Sequence, residues 1–231
     1  MLCVSCLSVA VVLYVRFPLW SIGEPRPVTR PRELGSLCGP GFSDARDWAM
    51  PEPPQPEFLQ PPIRIDGPIT LAEADPGWAE VYARQEERIR AALGSRAVQV
   101  EHVGSTSVPG LAAKPTIDIV LLVMDSADEA GYLPDLEAAG YQLQFREPDW
   151  FEHRFLRDFD PDVQVHVFGV GAAEVERMLL FRDLLRNRSE ERELYQRTKR
   201  ELAARRWTYV QDYADAKSAV IEAIILRART G

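Results

Sequence analysis

Val98-Gln99-Val100-Glu101-His102-Val103-Gly104-Ser105-Thr106-Ser107-Val108-Pro109-Gly110-Leu111-Ala112-Ala113-Lys114-Pro115-Thr116-Ile117-Asp118-Ile119-Val120-Leu121-Leu122-Val123 carries two β-branched runs on either side of a Gly-Ser turn. The pattern predicts a strand, a tight turn, a short helical or looped excursion, and a second, more apolar strand that opens with a carboxylate. A chain leaving a strand edge through Gly104-Ser105-Thr106-Ser107 presents several backbone N–H groups and three hydroxyls at one place, which is an anion site in outline. Asp118 lies at the head of a strand apolar enough to be buried on both faces, so its carboxylate is expected near the strand end, in a cleft or paired. The turn and Asp118 together would give phosphate oxygens a set of donors and a divalent metal one hard oxygen ligand. A surface turn with capping hydroxyls and an edge aspartate fits the same spacing.

From about Ile69 to Arg227 the chain resembles the GrpB family, small proteins whose core is similar to the nucleotidyltransferase fold of the DNA polymerase beta superfamily. The resemblance is carried by Asp75-Pro76-Gly77-Trp78 and by the block from Glu101 to Ile119. It continues through His153-Arg154-Phe155, Val165-His166-Val167, Phe181-Arg182-Asp183-Leu184-Leu185-Arg186 and Tyr213-Ala214-Asp215-Ala216-Lys217. It implies an α/β (α+β) fold: a mixed β-sheet nucleotidyltransferase-like core with packed helices and a C-terminal helical region. It also keeps a coenzyme A precursor among the ligands to test, because GrpB-like domains occur fused to dephospho-coenzyme A kinase. In the wider superfamily Gly-Ser is followed by Asp-hydrophobic-Asp and a third carboxylate on a neighbouring strand. Here Asp118 is present, Val120 stands where the second carboxylate would fall, and Gln164 and His166 stand where the third would be sought. Two-metal catalysis needs carboxylates to neutralise and bridge two ions, and one aspartate does not do that alone.

The 231 residues suit one or two domains, and 46% hydrophobic with 27% charged residues is an ordinary globular balance. A formal net charge of −8 argues against general nucleic-acid binding. Residues 63–171 carry 19 acids and 9 bases, whereas residues 172–231 carry 10 acids and 13 bases. The basic C-terminal part could face an anionic ligand, and a solvated helical surface accounts for the same count. Met1 to Trp20 holds an apolar run too short and too interrupted for a stable membrane insertion, with a weak signal anchor as the alternative. Residues 21–62 hold ten of the eighteen prolines and are expected to be disordered. One reading of everything before Ile63 is an upstream extension with Met50 as the real start. The folded domain is then 63–231. Cys3, Cys6 and Cys38 all lie in the first segment, which leaves the domain without cysteine and fits a reducing cytoplasm.

Further along, Ile69-Thr70-Leu71 reads as a short strand, and Asp75 as the N-cap of a helix with Pro76 at its first position, Trp78 in its apolar side and Gly94 as its stop. Trp78 is read as a core anchor. Ser126 is expected to cap a helix running to about Ala139 and ended by Gly140. Strands follow at Tyr141–Arg146, Glu152–Arg157 and Asp162–Phe168, with Val163, Val165 and Val167 on one face and Gln164, His166 and Phe168 on the other. Three helices close the chain: one through Met178 and Phe181, one over about 190–204, and one over about 209–227. On the third, Lys217 falls beside the apolar stripe. It either snorkels to water or aims at phosphate across a cleft.

Two functional classes follow. In the first, a nucleotidyltransferase-like enzyme, Gly104, Ser105, Thr106 and Lys114 hold a triphosphate, with Lys217 as a further phosphate contact. Asp118 then binds a divalent metal, Mg²⁺ or Mn²⁺, and His166 completes the metal shell or accepts a proton. A single Mn²⁺, Fe²⁺ or Zn²⁺ held by one carboxylate and imidazole is the variant that histidine favours. In the second, a noncatalytic module binds a nucleotide or phosphorylated metabolite with the phosphate turn and without the second carboxylate.

Overall fold

A computed structural model describes residues 56–61 and 64–230. The expectations for Met1–Trp20, the cysteines and Met50 fall outside those residues. Six strands form one mixed sheet in the order β1-β5-β6-β7-β4-β3. They are β1 (Glu57–Phe58), β3 (Gln99–Val103), β4 (Ile117–Val123), β5 (Gln142–Glu147), β6 (His153–Phe159) and β7 (Asp162–Gly169). The β4 and β7 pair is parallel and the other neighbours are antiparallel. This is the helix-packed mixed sheet that the nucleotidyltransferase resemblance implies.

Alternation along the central strands explains the layering. Ile117, Ile119, Leu121 and Val123 of β4 and Val163, Val165 and Val167 of β7 pack on α1 (Gly77–Leu93) and α2 (Leu133–Ala138), where Trp78, Ile89 and Leu136 are buried. Trp78 is the core anchor its position suggested. The opposite face, with Val120, Leu122, Phe155 and Phe168, is covered by α3 (Ala173–Asn187), α4 (Ser189–Ala203) and α6 (Ser218–Thr230). With period-2 alternation, Asp118, Gln164 and His166 must lie on this second face. A smaller two-stranded sheet joins β2 (Arg64–Gly67) to β8 (Trp207–Tyr209). Nearby, Ile69, Leu202, Ala203 and Tyr213 form a third cluster that seats α5 (Val210–Ala216) against α4.

Several local expectations are revised. Glu57 pairs with Arg146 and Phe58 with Phe145, so ordered chain begins before residue 63. A two-residue edge strand needs only a partner and one ring contact, here Phe58 on Phe145 at 5.6 Å, and proline-rich composition conceals it. Ile69–Leu71 is not a strand; the segment makes a single bridge, Ala72 to Ala113. The first helix starts one residue later than read, with Pro76 at the cap and Asp75 Oδ1 accepting the Gly77 N–H at 2.8 Å, while Gly94 ends it at φ +58°. Ser126 caps nothing: a 3-10 turn over Glu129–Gly131 precedes the short α2, and the Ser126 carbonyl accepts from Tyr132 Oη at 2.8 Å. The last helix is broken in two, and Lys217 sits at the break.

Candidate functional site

The turn that leaves β3 is built around Gly104, whose φ is +67°. A Cβ at this position would lie 2.0 Å from Asp118 Oδ2, so both the backbone conformation and the approach of the carboxylate require glycine. Ser105–Ser107 then form one 3-10 turn, closed by Ser107 Oγ donating to the Gly104 carbonyl at 2.7 Å. Val103 is the register partner of Asp118, which places the Gly104–Ser105 turn over the head of β4. Thr106 is drawn away from this opening: its hydroxyl donates to the Thr116 carbonyl at 2.8 Å and accepts from His102 Nε2 at 3.1 Å. Burial holds the His102 imidazole neutral by lowering it to about 3. Thr106 thus fastens the turn to the strand that carries Asp118.

Gly104, Ser105, Asp118 and Lys217 border one cavity of about 30 Å³. Met178, Phe181 and Leu185 of α3 and Tyr195 of α4 form its apolar wall, with Arg182 also on its border. Arg182 is held to Glu101 Oε2 at 2.7 Å and to Asp183 at 2.8 Å. The enclosed volume suits water or one small group, and larger parts of a ligand would extend outward.

Charge in this region is concentrated in lysine. The chain contains three lysines among its 27 basic residues, and all three, Lys114, Lys199 and Lys217, act electrostatically on Asp118. Lys217 is 5% exposed; its ammonium lies 4.7 Å from the Tyr213 ring centroid and makes no hydrogen bond or ion pair with a described residue. Asp118 Oδ1 is also buried without a hydrogen-bond partner. Lys199, 2% exposed, donates to the Ala112 carbonyl at 2.6 Å, and Gln196 Oε1 accepts the Ala112 N–H at 3.1 Å, so α4 clamps the Leu111–Ala113 segment. Burial pushes the Asp118 carboxyl up to about 7 against the pull of Lys217. Burial likewise lowers Lys217 to about 8, opposed by Asp118, and Lys114 to about 7, opposed by Asp162. Lys199 is driven well below its ordinary value, first by burial and then by Lys217.

The predicted site residues therefore divide. Gly104, Ser105, Asp118 and Lys217 meet at one cavity, and Lys114 adds its charge from beside it. The buried position of Lys217 replaces the snorkelling reading, because the helix break turns its side chain inward toward Asp118. His166 does not join them. It is fully buried, is the register partner of Val120, and its Nδ1 lies 2.9 Å from His153 Nε2. His153 Nδ1 is in turn 2.9 Å from Glu147 Oε2. Burial raises Glu147 to about 8 and lowers His166 to about 3. A protonated Glu147 then donates to His153, which donates to His166. Sequence reasoning missed Lys199, Tyr195 and Arg182. The scarcity of lysine in an arginine-rich chain was the available signal.

The donor set fits a pair of divalent cations badly. Val120 leaves the second carboxylate position apolar, and Asp162, which acts electrostatically on Asp118, is engaged by Arg157 and by Thr116 Oγ1 at 2.7 Å. Among the described residues no group of three or more His, Cys, Asp or Glu side chains is placed to hold a metal ion. Lysine charge beside this one carboxylate attracts anions and repels a bare cation.

The fold is a helix-packed mixed sheet whose first turn brings Gly104, Ser105, Asp118 and Lys217 to one cavity, with no second carboxylate beside Asp118 at Val120. A profile of the family described as GrpB protein matches residues 68–227, and the chain belongs to the GrpB family. It is 57% identical over 160 residues to a UPF0157 protein of Halalkalibacterium halodurans, covering 69% of this chain and 82% of that one. A UPF0157 protein of Streptomyces coelicolor is 52% identical over 168 residues, covering 71% and 88%. The crystal structure of conserved protein GrpB from Enterococcus faecalis is similar with a TM-score of 0.57 and 28% identity, covering 69% of this chain and 96% of that one. A shorter stretch of 77 residues is 42% identical to the dephospho-CoA kinase of Mycolicibacterium paratuberculosis, covering 32% of this chain and 19% of that one. Among the described residues no helix is long and apolar enough to cross a membrane.

Proposed function

We propose that this protein binds a nucleotide or a related phosphorylated small molecule, with the phosphate end received between the Gly104–Ser105 turn and Lys217. The observation that carries the reading is Lys217, whose side chain borders the cavity and makes no hydrogen bond or ion pair with a described residue, beside an Asp118 oxygen that has no donor. Burial of the lysine outweighs the pull of Asp118 on it, which costs free energy in the empty protein, and an entering anion offsets that cost. Backbone N–H groups of the turn and the lysine charge are complementary to phosphate oxygens. The short match to a dephospho-CoA kinase adds dephospho-CoA to the probes. Isothermal titration with ATP, GTP, CTP, UTP and dephospho-CoA ranks the ligands. Ser105→Trp, which fills the mouth of the turn, is expected to weaken the best of them by about tenfold or more. Equal affinity in the wild type and Ser105→Trp would discard this site.

Nucleotidyl transfer is the second reading, favoured by the position of Asp118 at the strand head under the Gly-Ser turn. In that case Asp118→Asn keeps the shape and abolishes turnover of a labelled nucleoside triphosphate, because the amide lacks the charge needed against the reacting phosphate. Binding without turnover by the wild type assigns the protein to the noncatalytic class.

A further inference from the structure

We infer that Lys114, Lys199 and Lys217 supply the charge neutralisation that divalent cations supply in metal-dependent nucleotidyl transfer, so that this site takes the phosphates of its ligand without a metal. The inference rests on the phosphate-binding reading above and names what replaces the ion. Three observations meet here. The chain has three lysines, and all three act on one buried carboxylate, whereas its other basic residues are arginine. The positions that would complete a metal site are Val120, Gln164 and a His166 tied to His153, and the nearby Asp162 is already engaged by Arg157 and Thr116. Finally, the lysines come from three separate segments: the loop before β4, the middle of α4 and the break between α5 and α6.

The geometry gives each lysine a different part. Lys217 borders the cavity with no bond of its own to break, so it can turn its ammonium to an incoming oxygen. Lys199 is fixed on the Ala112 carbonyl, with its ammonium 5.2 Å from the ring centroid of Tyr195, which itself lines the cavity. It holds the loop in place beside the cavity wall. Lys114 adds charge on the Asp162 side. Ammonium is a compact point charge with three donors, which suits a tetrahedral phosphate more than the planar fork of arginine does.

The test uses the full chain and inorganic pyrophosphate as the probe, titrated at neutral pH with excess EDTA and again with excess magnesium chloride. The expected result is binding in EDTA within about threefold of that in magnesium, and a loss of about tenfold or more in Lys217→Met. A second readout needs no variant. Because the chain holds only three lysines, amine-directed acetylation followed by mass spectrometry reports on each of them, and pyrophosphate in EDTA should protect Lys217. Binding that vanishes in EDTA and returns with magnesium overturns the inference and leaves the phosphate-binding reading standing. Binding in EDTA that Lys217→Met leaves unchanged, with no lysine protected, also overturns it. Absence of binding in both conditions, by a chain with a cooperative thermal transition, overturns both.

Discussion

The helix-covered face that carries Asp118 holds two buried polar clusters, and they are finished differently. Glu147, His153 and His166 form a chain of hydrogen bonds at 2.9 Å, wrapped by Phe155, Phe168 and Trp150, and His166 Nε2 is the one buried histidine nitrogen among the described residues without a partner. Asp118 and Lys217 lie at a cavity without a hydrogen bond to join them. A network whose members hydrogen-bond to one another, here with only its last nitrogen left over, specifies a core and stabilises it. A cluster left open at a cavity destabilises the empty protein and is completed by a ligand. The histidines, close together in the sheet, hydrogen-bond to one another, while Lys217, a residue type more often at the surface, borders the cavity and is the group the proposed function uses.

The largest effect expected from breaking this contrast is at Gly104. Gly104→Val puts carbon where Asp118 Oδ2 lies and forces a β-branched residue to positive φ, which should cost roughly 2–6 kcal/mol and abolish binding. Chemical denaturation and pyrophosphate titration check both halves. If Gly104→Val folds and binds as the wild type does, the close packing of turn and carboxylate is wrong.

Next in size is the closed cluster. His153→Ala leaves Glu147 and His166 without their shared partner and opens a void between Phe145 and Phe168, at about 2–4 kcal/mol. Its ligand affinity, measured below the lowered melting temperature, should stay within about twofold of the wild type. A selective loss of affinity with unchanged stability would move His153 and His166 into the site.

Lys217→Met is the smaller effect and has the opposite sign. Removing a charge whose burial outweighs the pull of Asp118 should stabilise the empty protein by about 1–4 kcal/mol at neutral pH while weakening ligand binding. The sign with pH follows from the lowered ammonium. Burial depresses Lys217 from 10.5 to about 8, so the wild type's cost is full below about 8 and disappears as pH rises toward 10.5. The melting-temperature advantage of Lys217→Met should shrink over that interval. An advantage constant from neutral pH to above 10.5 would show that packing, and not charge, is responsible.

Much of this molecule was readable in its residues. Alternating valines in β7, the apolar run of β4 and Gly104-Ser105 before Asp118 gave the sheet, its two faces and the turn that packs against Asp118, because buried strands leave little freedom in which residues point where. Lys217 was legible as lying beside an apolar stripe, but its inward turn was not. Nothing in Ala214-Asp215-Ala216-Lys217-Ser218-Ala219 marks a break, since it contains neither proline nor glycine, and the break follows α5, whose Tyr213 clusters with Leu202 of α4. Lys199 was hidden for a related reason. It stands between Arg197 and Arg200 on a strongly charged helix, and only the contact with Ala112 distinguishes it from a solvated face. His166 was misplaced because its partner, His153, belongs to another strand, and register across a sheet is not written in either strand alone.

A crystal structure of the full chain grown with pyrophosphate in EDTA tests the central claim most directly. The account predicts phosphate density within hydrogen-bonding distance of Lys217 Nζ and of the Gly104–Ser105 backbone, beside Asp118 and without an ion bridging the two. Pyrophosphate bound elsewhere, with only water between Ser105, Asp118 and Lys217, would contradict it.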